Sequence, residues 1–331
     1  MKRIIKKLFG NRVIALLRRI RGSARDEAYA YYAYDADRFV SFSGAFGKTT
    51  QYKLLSKIIK EYHVVEKCLT MPERENGHGK TAAENLLASI RNYVCYNYDR
   101  GEAQFLHAIG VLKAYLKENG SAKSIDDLVR TCDSYPNVEP AVQPHFSRTK
   151  FYSDRSAAFP IFAASRHTVR NFSSKPIGEG KIASAVTCAL HSPSACNRQY
   201  VKVLEVLNKD LISSVLSLQG GCRGFGHLAT ALLIVTVDLE GVGSAKEHND
   251  VFTNGGMFMM SLCYAMHYYE VAHCILNWSK SPEEDMALRK ILPLLDSESV
   301  VAVIACGEAS DEFDVAMSPR KALSDVFRVV K

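Results

Sequence analysis

The chain has 331 residues, 47% of them hydrophobic and 10% aromatic, which is enough apolar material for two folded units and too much for a disordered chain. Its nine cysteines are odd in number, form no regular framework and follow no secretory leader, so reduced thiols, a cytoplasmic setting and no structural disulfide are expected. The formal charge of +7 is concentrated: eight of the 42 Lys and Arg lie in residues 1–22 with no acid, leaving 34 against 35 acidic residues, and a balanced body argues against a nucleic-acid protein, whose folded domain would carry a basic face.

Residues 1–22 interleave those cations with Ile5, Leu8, Phe9, Val13, Leu16, Leu17 and Ile20 at helical spacing, the pattern of a basic amphipathic helix. No apolar run approaches the roughly 20 residues that cross a bilayer. Three readings stay open for this segment. It lies on an anionic membrane surface, each Lys or Arg contributing about 1 kcal/mol, it docks on the protein or a partner, or it is a frayed tail. The first would hold a cytoplasmic protein peripherally at the inner face of the membrane.

Residues 23–133 are expected to form a small helical domain. Leu54, Leu55, Ile58, Ile59 and Tyr62 make one apolar stripe, and Leu86, Leu87, Ile90 and Val94 another. A third helix is expected over Glu102–Lys117, and Ser124 with Asp127 resembles a capping box opening a fourth. Gly44–Thr49 and Gly77–Thr81 end like phosphate-binding loops, but Phe42 and Arg74 stand where that pattern needs a glycine. Pro136, Pro140 and Pro144 preclude a regular helix, so residues 134–154 read as a linker. A second domain is expected over 155–331. Its strands are expected at Tyr200–Val206, Leu232–Leu239 and Val300–Cys306, the last two apolar enough to be covered on both faces. Helices are expected at 181–190, Thr253–Tyr269 and Pro282–Leu294.

The densest chemical signal opens that domain. Arg166 and Arg170, four apart with His167 and Thr168 between them, can converge from a turn or a helical start on one compact anion. A phosphate monoester suits them, because guanidinium groups make two-point charge-assisted hydrogen bonds to its oxygens. An amphipathic helix, a polar run from His191 to Gln199 and a strand follow.

Arg-His-Thr-Val-Arg-Asn-Phe at 166–172 and Pro-Ser-Ala-Cys-Asn-Arg-Gln at 193–199 resemble the two amino-terminal signatures of the FMN-dependent nitroreductase family. The resemblance implies an α+β fold, a mixed sheet flanked by helices, here preceded by the small helical domain. It implies that Arg166, His167, Thr168 and Arg170 hold the FMN phosphate and that Pro193, Ser194, Asn197 and Gln199 border the isoalloxazine ring. Asn277 and Trp278 fall where the family's backbone faces the flavin's reactive nitrogen, and the Trp278 bulk is expected to reshape the pocket. Ser318-Pro-Arg-Lys321 resembles the last phosphate-binding element, with Arg320 carried over and Lys321 a weaker candidate. The family further implies an FMN-dependent oxidoreductase with NADH or NADPH as electron donor, a small-molecule substrate, and a homodimer with two flavins at its interface.

Two departures, Tyr200-Val201 for the family's Pro-Trp and Glu270-Val-Ala-His for a Gly-rich turn, lie toward the substrate side. Residues Tyr62–Pro72, Gly221–Gly226, Asn254–Phe258 and Leu276–Trp278 resemble a narrower group with helical amino-terminal domains, associated with bacterial exopolysaccharide or capsule biosynthesis. The alternative from another class is a flavin-binding or flavin-free accessory scaffold at the membrane surface. His63 and Glu66 would offer an acid or base if the helical domain covers the flavin, and otherwise form a polar helix edge. The turn Gly220–Gly226 lacks a dinucleotide fingerprint; it reads as a turn-rich connection or as a flexible loop near the flavin, with Arg223 facing an anionic group. Cys188, His191 and Cys196 lack a fourth ligand, so no metal is expected.

Overall fold

The computed structural model describes residues 24–42, 49–75, 77–119 and 126–331. The amphipathic segment 1–22, most of Gly44–Thr49 and the Ser124 cap lie outside them. No helix among the described residues is long and apolar enough to cross a membrane.

The amino-terminal half is helical. Helix α1 (Ala24–Phe42) is followed by α2 (Gln51–Leu69), α3 (Lys80–Cys95), α4 (Ala103–Asn119) and α5 (Asp126–Asp133). The stripes read from sequence become one core: Ile58, Tyr62 and Val65 of α2 meet Leu86, Ile90 and Tyr93 of α3 and Phe105, Ile109 and Leu112 of α4. Thr50 caps α2 by accepting a hydrogen bond from the Lys53 amide, satisfying one of the donors that a helix start leaves open. Helix α1 reaches away from this core. Asp35 sits 2.6 Å from His248, whose ring also meets Tyr31 and Tyr32.

The prolines after α5 give an irregular crossing, as expected, but its far end is structured. Strand β1 (His145–Ser147) pairs antiparallel with β6 (Glu312–Asp314), and a turn of helix, α6 (Arg148–Phe151), follows. Then come α7 (Phe159–Ser165), α8 (Lys181–Ala189), β2 (Val201–Val206), α9 (Lys209–Gln219), β3 (Ala231–Asp238), α10 (Asp250–Tyr268), β4 (Ala272–Asn277), α11 (Pro282–Ile291), β5 (Glu298–Gly307) and, after β6, α12 (Leu323–Val326).

The main sheet has the order β2-β3-β5-β4, and its pairings are all antiparallel. Strand β3 explains why a continuous apolar run is needed. Leu232 and Ile234 face α9 and α11, whereas Ala231, Leu233 and Val235 face α8 and α10. Alternate side chains point to opposite faces, so a strand buried on both sides is apolar along most of its length, and its one buried polar side chain, Thr236, donates to Glu298. Helix α10 lies close on this sheet because it carries Gly255, where a Cβ would stand 2.6 Å from Val301 Cγ2.

The departure at Glu270 has a structural cost. The end of α10 is closed by the Val271 amide donating to the Met266 carbonyl and the Glu270 amide to His267, the Schellman arrangement. Its left-handed position, φ 59°, is held by Glu270, where glycine is free of the Cβ penalty.

Candidate functional site

The segment 166–170 is neither turn nor helix; it runs on from α7 without regular structure. Its Val169 amide donates to the His273 carbonyl of β4 at 3.1 Å and the Val169 side chain enters the core. Arg166, His167, Thr168 and Arg170 line a cavity of about 330 Å³. Arg320 and Ser318 close it from the carboxyl-terminal loop, and Ile59, Tyr62 and His63 from α2. The helical domain therefore supplies one wall.

The electrostatics of this cavity are unbalanced. Arg170 is only 8% exposed, yet among the described residues no carboxylate lies within ion-pair distance of Arg166, Arg170 or Arg320. Lys67 of α2 stands beside Arg170; burial, and then the Arg170 charge, push its pKa down. Burial also lowers the His167 pKa, helped by Arg166 and Arg320, so that imidazole is neutral at pH 7 and free to accept or donate one hydrogen bond. Buried charge without a counter-charge costs several kcal/mol, and a site made this way fits an anion.

The loop bearing Arg320 is tied to the helical domain through Glu66, which has no solvent exposure. Its carboxylate meets His107 Nε2 at 2.8 Å and His63 Nδ1 at 3.4 Å, and accepts the Ser318 amide at 3.4 Å. Burial pushes this carboxyl up, but the hydrogen bonds with His107 and His63 outweigh it and hold the pKa below its ordinary value. The Ser318 hydroxyl meets His63 at 3.2 Å, Ser318 takes φ 45°, and the Gln104 side chain donates to the Arg320 carbonyl at 3.5 Å. Lys321 turns instead to Tyr52, its ammonium 4.6 Å from the ring centre. The His63–Glu66 pair is thus a brace under the cation loop, with His63 also facing the cavity. Spacing alone marked the pair; its partner loop was invisible in sequence.

The second signature lies elsewhere in the chain. Pro193, Ser194 and Gln199 line a separate small cavity with Asn254 and Phe258 of α10, sharing no residue with the arginine cavity. Asn197 is exposed, and its side chain accepts from Gln199 Nε2 at 3.1 Å. Within a single chain the two signatures therefore line different cavities. Left-handed backbone at Cys196, Asn197 and Gln199 marks a strained loop, the kind of feature that persists where surrounding structure over-determines it. Here the Ala195 amide donates to buried Asn254 at 2.7 Å, and Arg198 bonds the Ala195 and Gly241 carbonyls and Glu247.

Asn277 and Trp278, at the end of β4, do not line the arginine cavity either. The Asn277 carbonyl accepts Gln219 Nε2 at 2.9 Å. The Trp278 indole donates to Asp285 at 2.9 Å and packs on the core, its bulk turned into the protein. Cys188 and Cys196 are exposed and all nine thiols are free; among the described residues no group of three or more metal-ligating side chains is gathered.

Residues 163–308 match the nitroreductase family. No curated protein matches the chain. Among solved structures, the chain is similar to a putative nitroreductase from Bacillus subtilis (17% identity, TM-score 0.45, covering 53% of this chain and 100% of that one). It is also similar to a putative NADH oxidase from Clostridium acetobutylicum (15%, 0.44, 50% and 97%) and to an FMN-dependent nitroreductase from Clostridium difficile (16%, 0.41, 50% and 92%).

Proposed function

We propose that the chain is a flavin oxidoreductase using FMN with NADH or NADPH, a reading supported by the match of residues 163–308 to the nitroreductase family, and that the FMN phosphate is held in the cavity of Arg166, His167, Thr168, Arg170 and Arg320. The observation that carries this reading is the buried, unneutralised Arg170 beside Arg166 and Lys67. A phosphate dianion would supply the missing charge, and guanidinium groups grip it at two points each. When bound, FMN supplies hydride and electron-pair transfer. The residues of the chain bind and orient it: the arginines fix the phosphate, Thr168 offers a hydroxyl, and the Glu66 brace holds the Arg320 loop in place. Ile59 and Tyr62 exclude water from one side.

A homodimer is part of the proposal. The arginine cavity is at the small end of ligand pockets, which run about 300–1,000 Å³, and the second signature lines a different cavity of the same chain. Helix α10 exposes Phe252, Met257 and Met260, an apolar face suited to a second copy, whose strained 193–199 loop would then border the flavin ring. A role in polysaccharide biosynthesis, and a membrane address through residues 1–22, rest on the sequence alone. The substrate is a small molecule that the flavin can reduce.

Purified protein is expected to be yellow, to release FMN on denaturation, and to scatter light at twice the 36.8 kDa chain mass. Arg166→Ala combined with Arg320→Ala should remove most of the flavin, each charge-assisted contact being worth about 1.5–3 kcal/mol. Full flavin retention in that variant would show the phosphate to be elsewhere, and a monomer with bound flavin would remove the dimer.

A further inference from the structure

Among the described residues, a second cavity is larger than the arginine cavity. A cleft of about 840 Å³ opens on the other side of the 166–174 segment, between α9 and the glycine turn that follows it. Arg170 faces the first cavity, whereas Phe172, Ser173 and Ser174 face the second. The wall between them is aromatic: the Phe172 and Phe225 ring centres are 6.4 Å apart, and the Arg170 guanidinium carbon lies 6.0 Å from the Phe225 centroid. No residue lines both.

The cleft has two kinds of surface. Its floor is apolar and largely buried, made by Phe172, Ile212, Leu216, Cys222 and Ala229. Its rim is cationic and hydroxylic. Lys209 stands at the start of α9, and Arg223 and His227 come from the glycine turn, with Ser213 and Ser217 on the exposed side of α9. Among the described residues no carboxylate lines the cleft. On the rim His227 stands 3.7 Å from Glu73, both more than half exposed, and such a pair is worth little. The Thr230 hydroxyl, at the floor, is buried without a hydrogen-bond partner, and unmet buried hydroxyls are rare in native proteins.

The glycine turn explains the shape. Gly220 at φ 71° ends α9 and Gly224 at φ 86° reverses the chain, conformations open to glycine and costly for other residues. Between them Arg223 is held at the mouth while Cys222 and Phe225 fill the wall. None of the residues of this turn lines the arginine cavity.

We infer that this cleft is a second ligand site, for a small amphiphilic anion with an apolar or aromatic body and a phosphate or carboxylate head. The body would cover the floor, and the head would meet Arg223 and Lys209 while presenting an oxygen to the serines. Inorganic phosphate would leave the apolar floor wet. A neutral apolar molecule would leave the cations unmet. Pockets of this size with an apolar lining and a few convergent polar groups are the usual form of small-molecule sites.

Calorimetric titration of the flavin-loaded full chain with octyl phosphate tests the inference. One octyl phosphate per chain is expected to bind, at least tenfold more tightly than inorganic phosphate or 1-octanol. Octanoate run in parallel tells whether a carboxylate head serves as well as a phosphate. Lys209→Glu with Arg223→Glu should weaken binding at least tenfold, and Ser217→Trp, which fills the cleft from an exposed position, should abolish it. Flavin absorbance should be unchanged in both variants, since neither touches the arginine cavity. Absence of octyl phosphate binding at millimolar concentration overturns the inference. So does binding that both variants leave intact, or that Arg170→Met removes instead, because the probe would then be occupying another site.

Discussion

Replacing Arg170 by methionine separates a ligand-binding arginine from a structural one. Arg170 is 8% exposed, with no carboxylate paired to it among the described residues and with Lys67 adding to the local positive charge. In the flavin-free protein that charge is a liability. Methionine has similar reach, no charge and an adaptable shape, and replacing buried ionic groups by apolar ones commonly stabilises by about 1–4 kcal/mol. The flavin-free variant should therefore resist urea better than the parent. Flavin binding should move the other way. Loss of a charge-assisted contact of about 1.5–3 kcal/mol corresponds to roughly 10- to 150-fold in Kd. With FMN at 100 times the parent Kd, the parent gains about 2.7 kcal/mol of stability, while a variant that binds 100-fold more weakly gains only about 0.4 kcal/mol. The assay is urea unfolding followed by circular dichroism, with and without FMN, beside a fluorescence titration of FMN. Lower stability of the flavin-free variant together with unchanged FMN affinity would refute the argument, since both would mean that the guanidinium holds the fold and not the phosphate.

Glu66→Gln keeps the shape of the brace but loses its charge, and should cost about 1–3 kcal/mol of stability while weakening FMN about tenfold, read by the same unfolding and titration; unchanged FMN affinity would detach the Arg320 loop from the cofactor. His267 and His273 are buried, and burial lowers their pKa values to about 3 and about 4. With folded values below the ordinary 6.5 the unfolded chain binds more protons, so stability is complete above pH 6.5 and falls as acid is added. At pH 5 each residue should have cost about 2 kcal/mol, and a flat profile between pH 7.5 and 5 would mean that they titrate normally. Glu270→Gly removes the left-handed strain at the end of α10 at the expense of an exposed ion pair with Arg155, and should raise stability by about 1 kcal/mol; a drop in melting temperature would show that the ion pair dominates.

Features whose cause lies within a few residues were legible in the sequence. The stripes of α2, α3 and α4, the helix at 181–190 and the apolar runs of β3 and β5 follow from periods of 3.6 and 2, and the observed bounds fall within a few residues of those expected. The Arg166–Arg170 spacing is also local, and so is the glycine turn at 220–226. What escaped were elements with weak local contrast: α9, whose serines dilute its apolar face, and the short strand β4.

The tertiary structure alone decided which motifs share a cavity. Arg320 reaches the first signature from the far end of the chain, and Glu66, more than 250 residues before Ser318, holds it there. The second signature, only about 25 residues beyond the first, lines a different cavity. Sequence distance and spatial distance are uncoupled here because β2, β3, β5 and β4 order themselves by burial on two faces, and that order fixes which loops meet. The amino acids wrote the helices, the strands and the cationic motif; the packing of the sheet against α8, α10, α9 and α11 determined where each was delivered.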